Sequence, residues 1–326
     1  MSNKKTTILM TGANGGLGSA IASHPASVPP ASHEQISLDL ARLSSVRELA
    51  VAINARVQAG TIPSISVIIL NAGFEEYDTQ TWNDDCLDMT SVVNYLGHWL
   101  LTLLLLQSMD RENECIVWIS SSSQNPEDPH NAMTGAWKED RCKTIMTDDF
   151  EPLAKGTWSS TADEDEKTAW MAAYRRYGAS KMCGVAMILS SHELQRRLDK
   201  GPLLNHLSVL AVDPGGMDTG IGRYSPWIVL LVFRVLAGWL GRLLVHLYPN
   251  GTWRTPQKSA RDVLAAALDC GPPPLTERPK GIYLNGSELR YYNTESKEPR
   301  AGRVIWEGSL RYTQLREAET VLQDWQ

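Results

Sequence analysis

The chain has 326 residues, 31 Lys+Arg against 37 Asp+Glu for a net charge of −6, and 43% hydrophobic and 21% charged residues. That balance is ordinary for a globular protein and gives no reason to expect nucleic acid as a partner. Five cysteines (Cys86, Cys115, Cys142, Cys183, Cys270), odd in number and without CxxC spacing, argue for reduced thiols and no metal site; the short apolar run behind Lys4-Lys5 reads as a strand and not a signal peptide, so a cytoplasmic location is expected.

In chain order, residues 7–10 predict a first strand, directly followed by Thr11-Gly12-Ala13-Asn14-Gly15-Gly16-Leu17-Gly18. These glycines allow a tight turn into a helix whose N–H groups and positive end suit a pyrophosphate; a plain Gly-rich turn is the alternative. Pro25, Pro29 and Pro30 exclude a regular helix over 23–33. Residues 35–38 predict a second strand ending at Asp39, and Ser45 with Glu48 forms a capping-box pattern opening a helix. Residues 66–70 predict a core strand leading into Asn71-Ala72-Gly73. A helix from near Asp85 runs into the stretch 99–106, too apolar for an exposed face. A strand over 116–120 ends in Ser120-Ser121-Ser122-Ser123, and the Pro-, Asp- and Asn-rich residues 122–167 predict a long surface insertion.

A helix over 168–198 places Tyr177 and Lys181 one turn apart on one face. A strand over 208–212 leads to Pro214-Gly215 and Thr219. Residues 227–248 are mostly apolar but carry Arg234, Arg242 and His246, which suits a lid (218–250) or a helix lying on the protein. Peripheral membrane contact is the alternative, whereas a spanning helix tolerates central arginines badly. Helices over 255–268 and 310–325, a strand over 281–284 and a C-terminal extension (300–326) complete the chain. Short apolar runs alternating with helices predict an α/β fold with a doubly wound parallel sheet in one domain, 1–326.

Tyr177 and Lys181 are the candidate chemical pair. A phenol titrates near 10, and an ammonium one helical turn away favours the phenolate; lowering its pKa by about three units represents about 4 kcal/mol. Tyr177 would then serve as general acid or base. Tyr174 has Gly178 at i+4 and therefore no such partner.

The ordered set Thr11-Gly12-x-x-x-Gly16-x-Gly18, Leu38-Asp39-Leu40, Asn71-Ala72-Gly73, Val93-Asn94-Tyr95-Leu96-Gly97-His98, Ile119-Ser120-Ser121, Tyr177-x-x-x-Lys181 and Pro214-Gly215-x-x-x-Thr219 resembles the short-chain dehydrogenase/reductase family. More narrowly, it is similar to the retinol-dehydrogenase-like branch and its fungal relatives in secondary metabolism. The resemblance implies a Rossmann sheet and hydride transfer between NADP, or alternatively NAD, and the carbonyl or secondary alcohol of a hydrophobic small molecule. It implies Asn94, Ser121, Tyr177 and Lys181 as the catalytic set. Thr11, Gly12, Asn14, Gly16, Leu17, Gly18, Asp39, Asn71, Ala72, Gly73, Pro214, Gly215 and Thr219, with Tyr177 and Lys181, would bind the cofactor. Turn-capping at Asp39, a structural turn at Asn71-Ala72-Gly73, strand-end capping by the serines and a buried amide at Asn94 are the non-catalytic alternatives; His98 reads as a packed helix residue.

The chain departs from the family pattern in two places. Only 20 residues separate Gly18 from Asp39, about half the usual length, so a strand that normally receives the adenosine ribose is missing unless 35–38 slides into its slot. Ser121 and Tyr177 lie 56 positions apart, which implies an enlarged substrate-side insertion. The shortened segment motivates a second function class, a non-catalytic dinucleotide-sensing or scaffold protein with a degraded cofactor pocket.

Overall fold

A computed structural model describes residues 6–24, 33–111, 114–132, 134–165, 167–189, 193–268 and 280–326; Pro25, Pro29, Pro30 and Cys270, with the expectations placed on them, lie outside these residues. Five parallel strands follow one another in sequence order: β1 (Thr7–Met10), β2 (Ile65–Leu70), β3 (Cys115–Ile119), β4 (Ser208–Asp213) and β5 (Ile282–Asn285). A two-residue strand β6 (Glu288–Leu289) turns back antiparallel on β5, a hairpin too short to announce itself by periodicity. Strands β2, β3 and β4 are buried throughout, the near-continuous apolar pattern of a parallel sheet covered on both faces.

Side chains alternate between the two faces. Ile68, Leu70, Ile116, Trp118 and Ala211 enter the larger core with α2 (Leu43–Gln58), α3 (Met89–Ser108), α4 (Ala169–Leu189) and α5 (Glu193–Lys200). Val67, Ile69, Val117, Leu210 and Val212 face the smaller core under α1 (Gly16–Ala22) and α8 (Pro256–Ala267). Between them in chain order come two apolar segments, α6 (Trp227–Trp239) and α7 (Gly241–Leu247). Helix α3 is apolar and long enough to cross a membrane, yet it is 89% buried in the protein core.

Residues 35–38 do not form the expected strand: they join no ladder, and β1 is an edge strand, half-buried at every position. The segment is tied to α2 instead. Arg56 grips the Glu34 carboxylate with two bonds (3.0 and 2.6 Å), and the Ser45 hydroxyl accepts from Asp39 N at 3.3 Å. Ser45 is thus inside α2 rather than capping it, since the helix begins two residues earlier. The doubly wound order normally continues past the first strand; here it stops, and an apolar slot lined by Ile8, Met10, Ile36, Leu38, Leu49 and Ile53 takes its place.

Three further expectations shift. The insertion 122–167 is not confined to the surface: Trp137, Ile145, Phe150 and Leu153 enter the larger core. The predicted helix over 168–198 is α4 and α5, with 190–192 outside the described residues. The last helix, α9, is Pro299–Thr313 rather than 310–325, because Pro299 opens its first turn and Gln314 closes it in the left-handed region at φ 50°. Trp306 of α9 packs edge-to-face on Trp99 (5.2 Å), lies under Arg197 (4.2 Å) and donates to the Trp325 carbonyl. Trp306→Ala should lower unfolding free energy by about 3–5 kcal/mol in urea titrations; a change under ~1 kcal/mol would show that α9 is not part of the cooperative core.

Candidate active site

The site is assembled at the carboxyl ends of β1–β4. After β1, Gly12 adopts φ +67°, and a Cβ there would come within 2.8 Å of Ala72 Cα, so the loop needs glycine both for conformation and for closeness to the β2 exit. Thr11 holds the two together: its Oγ1 accepts from Asn71 N (2.9 Å) and Ala72 N (3.0 Å). The Asn71 amide donates to the carbonyls of Thr11 and Gly12. Thr11 Oγ1 also lies 2.9 Å from His98 Nε2, while His98 Nδ1 faces Asn94 O at 3.3 Å. That geometry makes Nδ1 the protonated nitrogen and Nε2 the acceptor. Burial, with Lys181 adding to it, pushes His98 down to about 3, so it is a neutral packing residue.

Asn94 sits in a π-helical turn of α3, Val92–Leu96. Its amide accepts from Phe74 N and donates to Phe74 O, both at 2.8 Å, and donates to the Ser180 hydroxyl at 3.0 Å. One side chain therefore joins the loop following Asn71-Ala72-Gly73 to the helix bearing Tyr177.

Helix α4 lies so close to the turn after β3 that a Cβ on Gly178 would overlap Ser123 O and the Trp137 ring. That approach sets the Tyr177 phenol beside the Ser121 hydroxyl. Within the serine run, Ser120 is buried toward Tyr283 and Ser121 is partly exposed, although Ser120, Ser121 and Ser122 all line the cavity. Lys181 Nζ donates to Ile119 O at 3.1 Å and stands 5.5 Å from the centre of the Tyr177 ring. Tyr174 instead donates to Asn131 Oδ1.

The anticipated acidification of Tyr177 is not a property of the protein alone. Burial pushes the phenol well above its usual range, and the nearby carboxylates of Glu75 and Asp213 push it further, opposed by the neighbouring Ser121 hydroxyl. Lys181 is itself desolvated and falls to about 8, held up in part by Glu75 and Asp213. Burial outweighs the neighbouring ammonium.

A cavity of about 2450 Å³ joins these groups to the slot beside β1. Thr11, Gly12, Asn14, Gly16, Leu17, Gly18, Asn71, Ala72 and Gly73 line it, together with Ser121, Tyr177, Lys181, Pro214, Gly215 and Thr219. Asn94 stands behind that wall, fully buried. Asp39 reaches the cavity from an exposed turn, where its carboxylate accepts from Ala41 N and pairs with Arg42 at 3.7 Å.

Glu75 escaped the sequence reading. It lines the cavity two residues after Asn71-Ala72-Gly73 and makes no hydrogen bond among the described residues. Desolvation raises its carboxyl to about 7, with Lys181 opposing. Its position just past the β2 exit was the available signal.

No family model matches the chain. It is similar to the short-chain dehydrogenase iccH of Talaromyces variabilis, 38% identical over 99% of this chain and 100% of that one. That alignment spans 371 positions against 326 residues here, so the relative carries segments absent from this chain. The short chain dehydrogenase atnD of Emericella nidulans is 26% identical over 91% of this chain and 89% of its own. Among solved structures, the angucycline C-6 ketoreductase LanV with bound NADP shares the fold, with a TM-score of 0.52 and 15% identity over 86% of this chain and 95% of that one.

Because the folded state holds the Glu75 proton more tightly than the unfolded chain, its contribution to stability is present below pH 4.5 and lost as pH rises to about 7. Relative to Glu75→Gln, the natural protein should lose about 2 kcal/mol across that window in urea unfolding. Parallel stability–pH curves for the two proteins would refute the assignment.

Proposed function

This chain belongs to the short-chain dehydrogenase/reductase family, and on that premise we propose that it interconverts the carbonyl and secondary alcohol of a hydrophobic small molecule in secondary metabolism, with NADP, or alternatively NAD, as the redox partner. The chain is an oxidoreductase of this family; the substrate class, the cofactor and the residue roles are the proposal. What carries it is the convergence of Ser121, Tyr177 and Lys181 on one cavity that also reaches the Gly12–Gly18 loop.

The loop fits a pyrophosphate. The first turn of α1 has no side-chain cap, so its leading N–H groups lack intrahelical partners and face the cavity end of β1. The adenosine half has less to rest on, because β1 has no outer neighbour among the described residues and Asp39 is engaged in its own turn. A bound reduced nicotinamide would supply the hydride to the carbonyl carbon. Ser121 would orient the carbonyl oxygen by hydrogen bonding, and Tyr177, kept protonated by its raised pKa, would deliver the proton to that oxygen. Lys181 would stabilise the resulting phenolate, and Asn94 would hold the Phe74 backbone that shapes the floor of the site. Val229, Leu230, Val232 and Leu236 form an apolar wall, which supports a hydrophobic substrate.

A second reading, a dinucleotide-sensing or scaffold protein without turnover, is favoured by one observation, the outer edge of β1, which is unpaired among the described residues. Cofactor titration and a carbonyl panel separate the two. Tyr177→Phe should bind NADPH within about twofold of the natural protein yet lose 10²–10⁴-fold in turnover, roughly the contribution of a positioned general acid. Folded natural protein that binds NADPH but reduces no carbonyl supports the scaffold; binding neither NADPH nor NADH overturns the nicotinamide reading altogether.

A further inference from the structure

Segments α6 and α7 have two unlike faces. Inward, Val229, Leu230, Val232 and Leu236 line the cavity and Ala237 is buried. Outward, Trp227 (74% exposed), Trp239 (84%), Leu243 (56%), Leu247 (57%) and Tyr248 (67%) stand in solvent, an unusual concentration of apolar surface.

The charge on this region is mostly basic. Residues 219–253 include Arg223, Arg234 and Arg242 and no Asp or Glu, in a chain whose overall charge is −6, and an acidic neighbour, Asp218, sets its carboxylate beside Gly238 of α6. Arg234 and Arg242 are exposed and form no ion pair among the described residues. Exposed tryptophan and tyrosine beside unpaired arginines are the side chains that settle at the boundary between acyl chains and anionic head groups. The 59° bend between α6 and α7 and the arginines along them suit lying in that boundary rather than crossing it. A second copy of the chain is a poorer occupant, since a two-fold contact through this face would set arginine against arginine.

We propose that residues 227–248 seat the protein on an anionic lipid surface, so that the cavity wall formed by their inner face lies against the bilayer. A lipophilic compound dissolved in the membrane would then reach the cavity without passing through water. This docking needs neither cofactor nor turnover.

The test is sedimentation of the full-length protein with vesicles of phosphatidylcholine and phosphatidylserine in equal parts, and with phosphatidylcholine alone. The natural protein should pellet with the mixed vesicles and far less with the neutral ones, and added salt should weaken binding. Trp239→Glu, altering the most exposed aromatic of the patch, should remain in the supernatant. Arg234→Gln combined with Arg242→Gln should weaken partitioning about 30-fold, from about 1 kcal/mol per basic residue. Thermal unfolding should be unchanged in each, because these side chains are solvent-exposed. Natural protein left in the supernatant, equal pelleting by the variants, or a protein-only dimer abolished by Trp239→Glu would each overturn the proposal, the last in favour of a second copy.

Discussion

The Thr11 hydroxyl is the contact on which the site depends. With β1 at the sheet edge among the described residues, the glycine loop has a described strand neighbour on one side only. Two backbone N–H groups from Asn71 and Ala72 converge on Thr11 Oγ1, which leaves its proton for the neutral His98 ring. The Asn71 amide returns two bonds to the loop carbonyls. A cross-link of buried polar groups does here what a flanking strand does in a fully doubly wound sheet: it prevents the loop from shifting along the edge. The same hydroxyl joins β1, β2 and α3, so the loop, the β2 exit and the core helix move as one.

Electrostatics on the other side of the cavity follow from burial more than from pairing. Tyr177, Lys181, Glu75 and His98 all shift toward their neutral forms. Water exclusion penalises each charge, and no pair is close enough to repay the cost completely. The result is a protonated phenol beside an ammonium and a carboxyl that titrate near neutrality, an arrangement suited to exchanging protons without large free-energy gaps. Glu75 adds an acceptor that the Ser121, Tyr177 and Lys181 set does not include.

The cavity is larger than one small ligand needs, because it runs on into the slot where further strands would lie. At its opposite end the wall is made by α6, whose outer surface is apolar and basic. The molecule is therefore well packed through β2–β4 and open at both flanks, toward the slot beside β1 on one side and toward solvent-exposed tryptophans on the other.

The local motifs were legible in the chain because each is a backbone requirement written in residue type: glycines at a strand-to-helix turn, Tyr and Lys at helical spacing, apolar runs for strands buried on both faces. The shortfall between Gly18 and Asp39 was equally plain. What replaced the missing strand was not, since whether 35–38 pairs with β1 or follows α2 rests on side-chain contacts of Arg56 with Glu34 and of Ser45 with Asp39, which residue periodicity does not encode. The burial of 122–167 and the true span of α9 were hidden because Trp137 packs against Gly178 of α4 and Trp306 against Trp99, contacts that only the fold brings together. The direction of the Tyr177 shift also belonged to the tertiary structure. Spacing determines which charge is near, whereas desolvation depends on everything packed around it.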